Sequence, residues 1–458
     1  MSVPTSGGAP ARIRTPRSVE AGLLVLAGLI VAAAFVLVSL GRSRALPADL
    51  VPFLVGVFVL FAAAHIGVRR LAPRADALLL PSAVLLNGLG YVFIMRLDPD
   101  LGAQQAGWTA VGVVGFIGVL AVIRRVRTLE GLRFTVGLVG VILLILPLLP
   151  GLGVTIYGAR IWVRAGPISF QPGEFAKLAL AIFFAGYLVE RRELLGTATF
   201  KVGPFMIPEP KHLVPVVLAW GTSLVVMVFE RDLGSALLFF ALFMSVLWIA
   251  SGRISYVAIG SMLFAVGAVF AWNSFGHVRT RVDVWLNPWD DVLDSGYQIA
   301  QATYAFAWGG VTGVGFGQGF GNRVPVAESD FIFAIMGEEL GLLGTTAVIV
   351  LFLTIIGSGF RIAMRSTNPF NKLLAVGLTT LIGFQSFIIM AGVTRLLPLT
   401  GLTLPFVSYG GSSLVSNWML IALLLRLSDE AETREAQRVA EDDRAADLGL
   451  TTTIGVGV

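Results

Sequence analysis

The chain has 458 residues, of which 56% are hydrophobic and only 13% charged, with a mean hydropathy of +0.84 and a formal net charge of +5. Soluble globular domains carry about 25% charged residues, so a water-soluble enzyme is excluded and a membrane protein is implied. The lack of cysteine excludes disulfides and thiolate chemistry, the three histidines (His65, His212, His277) are too scattered for a zinc site, and the basic balance belongs to Lys and Arg at membrane edges, with no nucleic-acid partner.

Residues 1–18 are rich in Pro, Gly, Ser and Arg and are expected to form a disordered cytoplasmic arm, with no secretory leader. Apolar runs long enough to cross a bilayer predict helices at 19–40, 48–68, 76–95, 105–123 and 133–150. A polar loop follows, YGARIWVRAGPISFQPGE, and then helices at 174–190, 213–229, 232–250 and 255–272. A large loop over about 273–330 separates these from helices at 331–356, 372–391 and 410–427, and 428–458 form a charged, solvated tail. The expected fold is therefore an all-α polytopic membrane protein of about twelve transmembrane helices. An even number puts both termini on one side. The clusters Arg69-Arg70, Arg124-Arg125-Val126-Arg127 and Arg191-Arg192, in short loops of that side, make it the cytoplasm. Arg160, Arg164, Arg231, Arg279, Arg281, Arg323 and Arg395 then face outward against the trend, which suits either an anion or lipid headgroups.

The polar stretch Gly276–Gly344 stands out in so apolar a chain. Asp283, Asp290, Asp291 and Asp294 fall within twelve residues. Asp290 and Asp291 follow an Asn-Pro-Trp turn. On an irregular loop their side chains diverge, so that one, partly desolvated, could act as a general base. Asp290, Asp291 and Asp294 could also hold a divalent cation such as Mg or Mn, although their spacing is not that of an EF-hand loop. Alternate glycines from Gly313 to Gly321 suit tight turns and close backbone approach. Glu338 and Glu339 lie about two turns into an apolar helix, so at least one faces the interior or an aqueous groove. Elsewhere, Glu174 and Lys177 share one face of a helix opened by Pro172, either as a structural ion pair or as the lining of a cavity. In Glu230-Arg231-Asp232, Asp232 is placed to cap the next helix. Pro398, Gly401 and Pro405 forbid a continuous helix over 394–413. Ser408, Tyr409, Ser412 and Ser413 there either line a wet cavity or cap a helix.

Six stretches together resemble the shape, elongation, division and sporulation (SEDS) family of RodA, FtsW and SpoVE type. In order they are GARIWVRAGPISFQPGEFAK, RDLGSALLFF, WLNPWDDVLDSGYQIAQ, GGVTGVGFGQG, SDFIFAIMGEELGLLG and LLPLTGLTLPFVSYGGSS. The resemblance spans about 76–427 and implies a peptidoglycan glycosyltransferase that polymerises lipid II, the undecaprenyl-pyrophosphate-linked disaccharide-pentapeptide, beside a class B penicillin-binding protein that cross-links the glycan. It implies that Asp291, before the Gly-Tyr-Gln containing Gln298, is the essential acidic residue, with Asp290 second. Glu174 and Lys177 match the family's Gln-Pro-Ser-Glu-x-x-Lys motif. Arg160, Arg279 and Arg281 are the expected counter-charges for the departing pyrophosphate. Three departures are visible. Gly173 replaces a serine, Pro325-Val326-Ala327-Glu328-Ser329-Asp330 lacks a histidine common in relatives, and 19–75 add a helix pair to a ten-helix core. The added pair leans the chain toward a RodA-like enzyme of elongation and shape maintenance. A flippase for lipid-linked precursors is the rival reading. A twelve-helix secondary transporter is disfavoured because no internal repeat is visible.

Overall fold

The computed structural model describes residues 16–43, 50–156, 159–166, 168–196, 200–202, 205–207, 221 and 232–447. Its helices are α1 (Pro16–Ser43), α2 (Leu50–Leu71), α3 (Leu79–Leu97), α4 (Pro99–Val122), α5 (Arg127–Gly131), α6 (Arg133–Ile145), α7 (Pro172–Glu190), α8 (Arg192–Gly196), α9 (Leu233–Ser251), α10 (Ile254–Ser274), α11 (Gly276–Leu286), α12 (Tyr297–Gly309), α13 (Ile332–Arg365), α14 (Pro369–Val393) and α15 (Gly411–Asp447). Ten of the described helices are long and apolar enough to cross a membrane, and Arg133–Leu148 is a shorter apolar helix. The helix expected at 213–229 lies outside the described residues except for residue 221, as do Glu230 and Arg231 and all but the last three residues of the expected N-terminal arm.

Local chemistry sets most boundaries. Asp98 accepts from the amides of Asp100 and Leu101 with Pro99 in the first turn, so α4 starts earlier than its apolar run suggests. Asp232 caps α9 as expected, accepting from Ser235 N at 3.0 Å. The polar loop after α6 is corrected to a three-stranded antiparallel sheet, β1 (Gly153–Ile156), β2 (Ala159–Ala165) and β3 (Ile168–Phe170), with Gly153 opposite Val163 and Arg164 opposite Ser169. A second hairpin pairs β4 (Phe200–Val202) with β5 (Phe205–Ile207). The large loop is also not wholly irregular, since it contains α11 and α12.

The core forms where α3, α4, α7, α14 and α15 bury their apolar sides together. Trp418 of α15 is fully buried, edge-on to Phe116 of α4 and Phe406, and its indole N–H donates to Asn87 of α3 at 3.2 Å. Gly112 lets α4 approach this ring, because a Cβ there would lie 2.5 Å from it. In contrast, α10 exposes nearly its whole apolar surface, as a helix facing lipid does. α15 runs without interruption from the core into the charged tail.

The helix expected at 331–356 is instead broken. Gly341 interrupts α13 at φ 66°, ψ −166°, two residues after Glu339. The glycine loop completes the break. Val314 N and Gly315 N donate to the carbonyls of Glu338 and Glu339, while Leu342 N and Leu343 N donate to those of Gly310 and Val311. These four bonds give backbone groups on both sides of the break partners in the loop, as irregular backbone at membrane depth requires.

Candidate active site

One end of the bundle gathers the sheet, the segment 276–331, the segment 394–410 and the starts of α7, α9, α13 and α15. The contacts that join them are specific. Arg281 of α11 donates to Thr400 O at 2.8 Å, Trp285 Nε1 donates to Arg395 O at 3.1 Å, and Arg395 Nη2 returns to Trp285 O at 3.2 Å. Tyr409 N donates to Glu328 O at 2.8 Å, Ser408 Oγ donates to Ser329 O, and Leu404 N donates to Ser408 Oγ at 2.8 Å.

Beneath these loops runs a buried polar relay. Glu174 and Lys177 pair at 2.7 Å, both nearly inaccessible. Ser416 Oγ donates to Glu174 at 3.1 Å. Lys177 donates to Gln385 Oε1 at 2.8 Å, and Gln385 Nε2 donates onward to Thr403 O at 2.8 Å. Ser412 accepts from Gln171 N at 2.9 Å, so it ties α15 to the entrance of α7. Sequence reasoning missed Gln385 and Ser416. Their signal is a polar residue inside an apolar helix, which in a membrane implies a partner. Gly173 has open space where a Cβ would point, so the substitution at that motif position leaves the local packing unchanged.

A second cluster holds the glycine loop. Glu338 and Glu339 are 3% and 1% exposed, so both face inward. Phe320 N donates to Glu338 and Gly317 N to Glu339, each at 2.8 Å. Arg96 of α3 pairs with Glu339 at 2.8 Å and donates to Gly319 O. Arg96 is another residue the sequence reading passed over, although a lone cation in an apolar run is itself a signal.

The aspartates occupy the turn between α11 and α12. Asp290 accepts from Asn287 Nδ2, and Asp291 accepts from Ser295 N at 3.1 Å and Ser295 Oγ at 2.9 Å. Their side chains do diverge, but the expected partial desolvation is corrected: Asp290, Asp291 and Asp294 are all exposed. Gly296 closes the turn, donating to Asp291 O at 2.9 Å, and a Cβ there would stand 2.1 Å from Pro288 O. Gln298 is half-buried one turn on, at the start of α12. Among the described residues no three carboxylates or imidazoles gather as a metal site, Asp290, Asp291 and Asp294 included.

The expected counter-charges are spread out. Arg160 donates to Leu149 O at 3.2 Å beside the sheet, Arg279 donates to Asn273 O at 3.2 Å on an exposed face, and only Arg281 reaches the central loops. There Arg281 faces Asp330, which also accepts from Ser329 Oγ at 2.9 Å. Burial raises the Asp330 pKa above the ordinary carboxylate value, against the pull of Ser329 and Arg281. Tyr409 donates to Gln104 at 2.8 Å, and its phenol is also pushed up, mainly by burial and then by Asp98 and Glu328.

A family model of the cell cycle proteins FtsW, RodA and SpoVE matches residues 79–433. The chain belongs to this family. The peptidoglycan glycosyltransferase RodA of Mycobacterium tuberculosis H37Rv is 43% identical over 428 residues, 91% of each chain, and that of Mycobacterium leprae is 42% identical over 427. A probable peptidoglycan glycosyltransferase FtsW of Geobacter sulfurreducens is 37% identical over 280 residues, 61% of this chain and 72% of its own. Coverage of 91% exceeds what 79–433 and the short tail after it supply, so the likeness to the RodA proteins extends into the N-terminal pair, outside the matched family span. Among solved structures, a chain from a peptidoglycan synthase complex that coordinates polymerization and crosslinking matches at TM-score 0.65 and 25% identity, covering 78% of this chain and 98% of its own. The rod shape determining protein RodA of Thermus thermophilus matches in fold at TM-score 0.57 and 24% identity, covering 77% of this chain and 96% of its own.

Proposed function

We infer that this FtsW/RodA/SpoVE-family chain is a peptidoglycan glycosyltransferase that polymerises lipid II at the outer face of the bacterial cytoplasmic membrane, in wall elongation and shape maintenance. The observation that carries the reading is the likeness to RodA glycosyltransferases over 91% of both chains. Asp291 is the general base. It takes the proton from the 4-hydroxyl of the acceptor sugar as that oxygen attacks the anomeric carbon of the donor and the bond to pyrophosphate breaks. Its exposure, together with anchorage by Ser295 and Gly296, supports this role: the carboxylate is held in place yet open to an incoming hydroxyl. Arg281, with Arg160 and Arg279 farther out, supplies positive charge for the departing pyrophosphate. The lipid tails remain in the bilayer while the sugars meet the loops. A class B penicillin-binding protein is the expected partner, in line with the synthase complex among the structural relatives.

The test is polymerisation of purified lipid II by the full chain in liposomes. General-base loss typically costs about 10²–10⁴-fold in rate, so Asp291→Asn is expected to abolish visible glycan strands. Its exposed position keeps the stability change within about 0.5 kcal/mol. Undiminished strand yield from Asp291→Asn overturns the assignment. Precursor translocation without polymerisation by the wild type, alone and with the transpeptidase, selects the flippase reading instead.

A further inference from the structure

The helix pair α1–α2 lies outside the matched family span, and the reaction above makes no use of it. Yet the last turns of α1 touch the glycine loop at several points. Gln318 Nε2 donates to Gly41 O at 2.7 Å. A Cβ on Gly41 would stand 2.2 Å from Phe316 O, and one on Gly317 would stand 2.7 Å from Val38 O and 3.4 Å from Arg42 Cγ. Arg42 Nη1 donates to the carbonyl of Arg96 at 2.8 Å, and Arg96 is the residue that pairs with Glu339 and reaches Gly319 O.

The helix delivering these contacts is itself fixed. At its far end Glu20, fully buried, pairs with Arg17 and with His65 of α2. Arg17 also bonds the carbonyls of Pro73 and Ala75. In its middle Val31 fills the space over Gly88 of α3 so closely that a Cβ on Gly88 would stand 2.4 Å away. α1 is therefore a strut clamped along α3, with its tip against the loop.

The loop needs such a support. Gly313, Gly315 and Gly317 all have positive φ, and glycine segments lose more conformational freedom on ordering than any others. On one side the loop hangs from Glu338 and Glu339. α1 supplies the other side.

We propose that the C-terminal turn of α1 braces the glycine loop for catalysis, with Gly41, Arg42 and Gln318 acting as positioning residues. The loop leads directly back into α12 and the turn that carries Asp291. The effect on catalysis rests on the reading of this chain as a lipid II polymerase; the brace itself does not.

The experiment compares the full-length chain with Gly41→Val and Gln318→Ala in liposomes, reading kcat and KM for lipid II, melting temperature, and amide hydrogen exchange over 313–320. Misplacement of a reacting group by about 1 Å costs up to 10²-fold. The expected result for Gly41→Val is roughly a tenfold loss of kcat with KM nearly unchanged, faster exchange confined to 313–320, and a smaller change of the same kind in Gln318→Ala. Unchanged kcat in Gly41→Val, or a loss that merely tracks melting temperature, overturns the positioning role. If the wild type makes no polymer, the enzymatic reading fails by itself. Exchange then decides the brace: acceleration at 313–320 supports it, and unaltered exchange there overturns it.

Discussion

Lys177 separates a structural ion pair from a working one. Breaking a buried pair by removing one partner costs about 3–5 kcal/mol, whereas replacing both partners by neutral groups is often tolerated. Lys177→Ala leaves Glu174, 3% exposed, with Ser416 as its remaining hydrogen-bond donor, so a marked fall in melting temperature is expected. The double variant Glu174→Gln, Lys177→Met should recover most of that stability. It should not recover lipid II polymerisation, because the link from Lys177 through Gln385 to Thr403 is lost. Recovery of both in the same preparation would make the pair purely structural.

Asp330 carries a pH signature of known sign. Its pKa is raised in the folded chain, so the folded state binds this proton more tightly than the unfolded one. Its stabilising share is complete below the ordinary carboxylate pKa and is lost as pH rises through the raised value. Asp330→Asn should therefore flatten the decline of melting temperature with rising pH across the mildly acid range. A decline as steep as in the wild type would assign that slope to another group. At this scale the motif residues were legible, because their types and order are distinctive. Arg96 and Gln385 were not, because what makes them matter is a partner on another helix, as for Lys177 and Gln385, 208 residues apart.

At the scale of elements, hydrophobic run length located most helices, while backbone breaks inside runs stayed hidden. α13 reads as one apolar segment, and nothing in periodicity distinguishes Gly341 from the other glycines near it. Its role follows from two features visible only in three dimensions: a glycine-only conformation, and loop backbone so near that a Cβ would stand 2.3 Å from Gly313 N and 2.5 Å from Val311 O. Gly341→Ala is thus expected to lose about 1–3 kcal/mol from backbone strain alone, and to lower the melting temperature further through the clash. Gly357→Ala, in open space farther along the same helix, should be neutral or slightly stabilising. Equal melting temperatures for the two variants would mean that the break is not required. The sheet after α6 escaped the sequence reading for a related reason. Its strands are short, and antiparallel pairing depends on partners that a loop composition does not reveal.

For the whole molecule, the distribution of charge predicts an orientation. The structure brings the arginine-rich connections to the end of the bundle opposite the aspartate turn. Arg74 N meets Asp429, Val126 N and Asn371 both meet Glu430, and Arg365 pairs with Glu432. Arg69, Arg70, Arg124, Arg125 and Arg127 therefore share one membrane edge with the emerging tail of α15, and the tendency of short basic connections to stay in the cytoplasm predicts that this edge is the cytoplasmic one. That edge is structurally locked as well. Arg426 of α15, buried, donates to the terminal carbonyls Leu71 O of α2 and Leu120 O of α4, where the helix dipoles favour a cation. The N-terminal pair is thus fastened to the core at both ends, and it cannot reverse without breaking this cap. Because the chain has no cysteine, single introduced thiols report sidedness cleanly. Ser295→Cys, beside Asp291, should react with a membrane-impermeant maleimide in intact spheroplasts. Thr433→Cys, in the tail part of α15, should react only after permeabilisation. The reverse pattern would place the aspartate turn in the cytoplasm, on the wrong side for glycan assembly, and would overturn the orientation together with the lipid II chemistry assigned to that face.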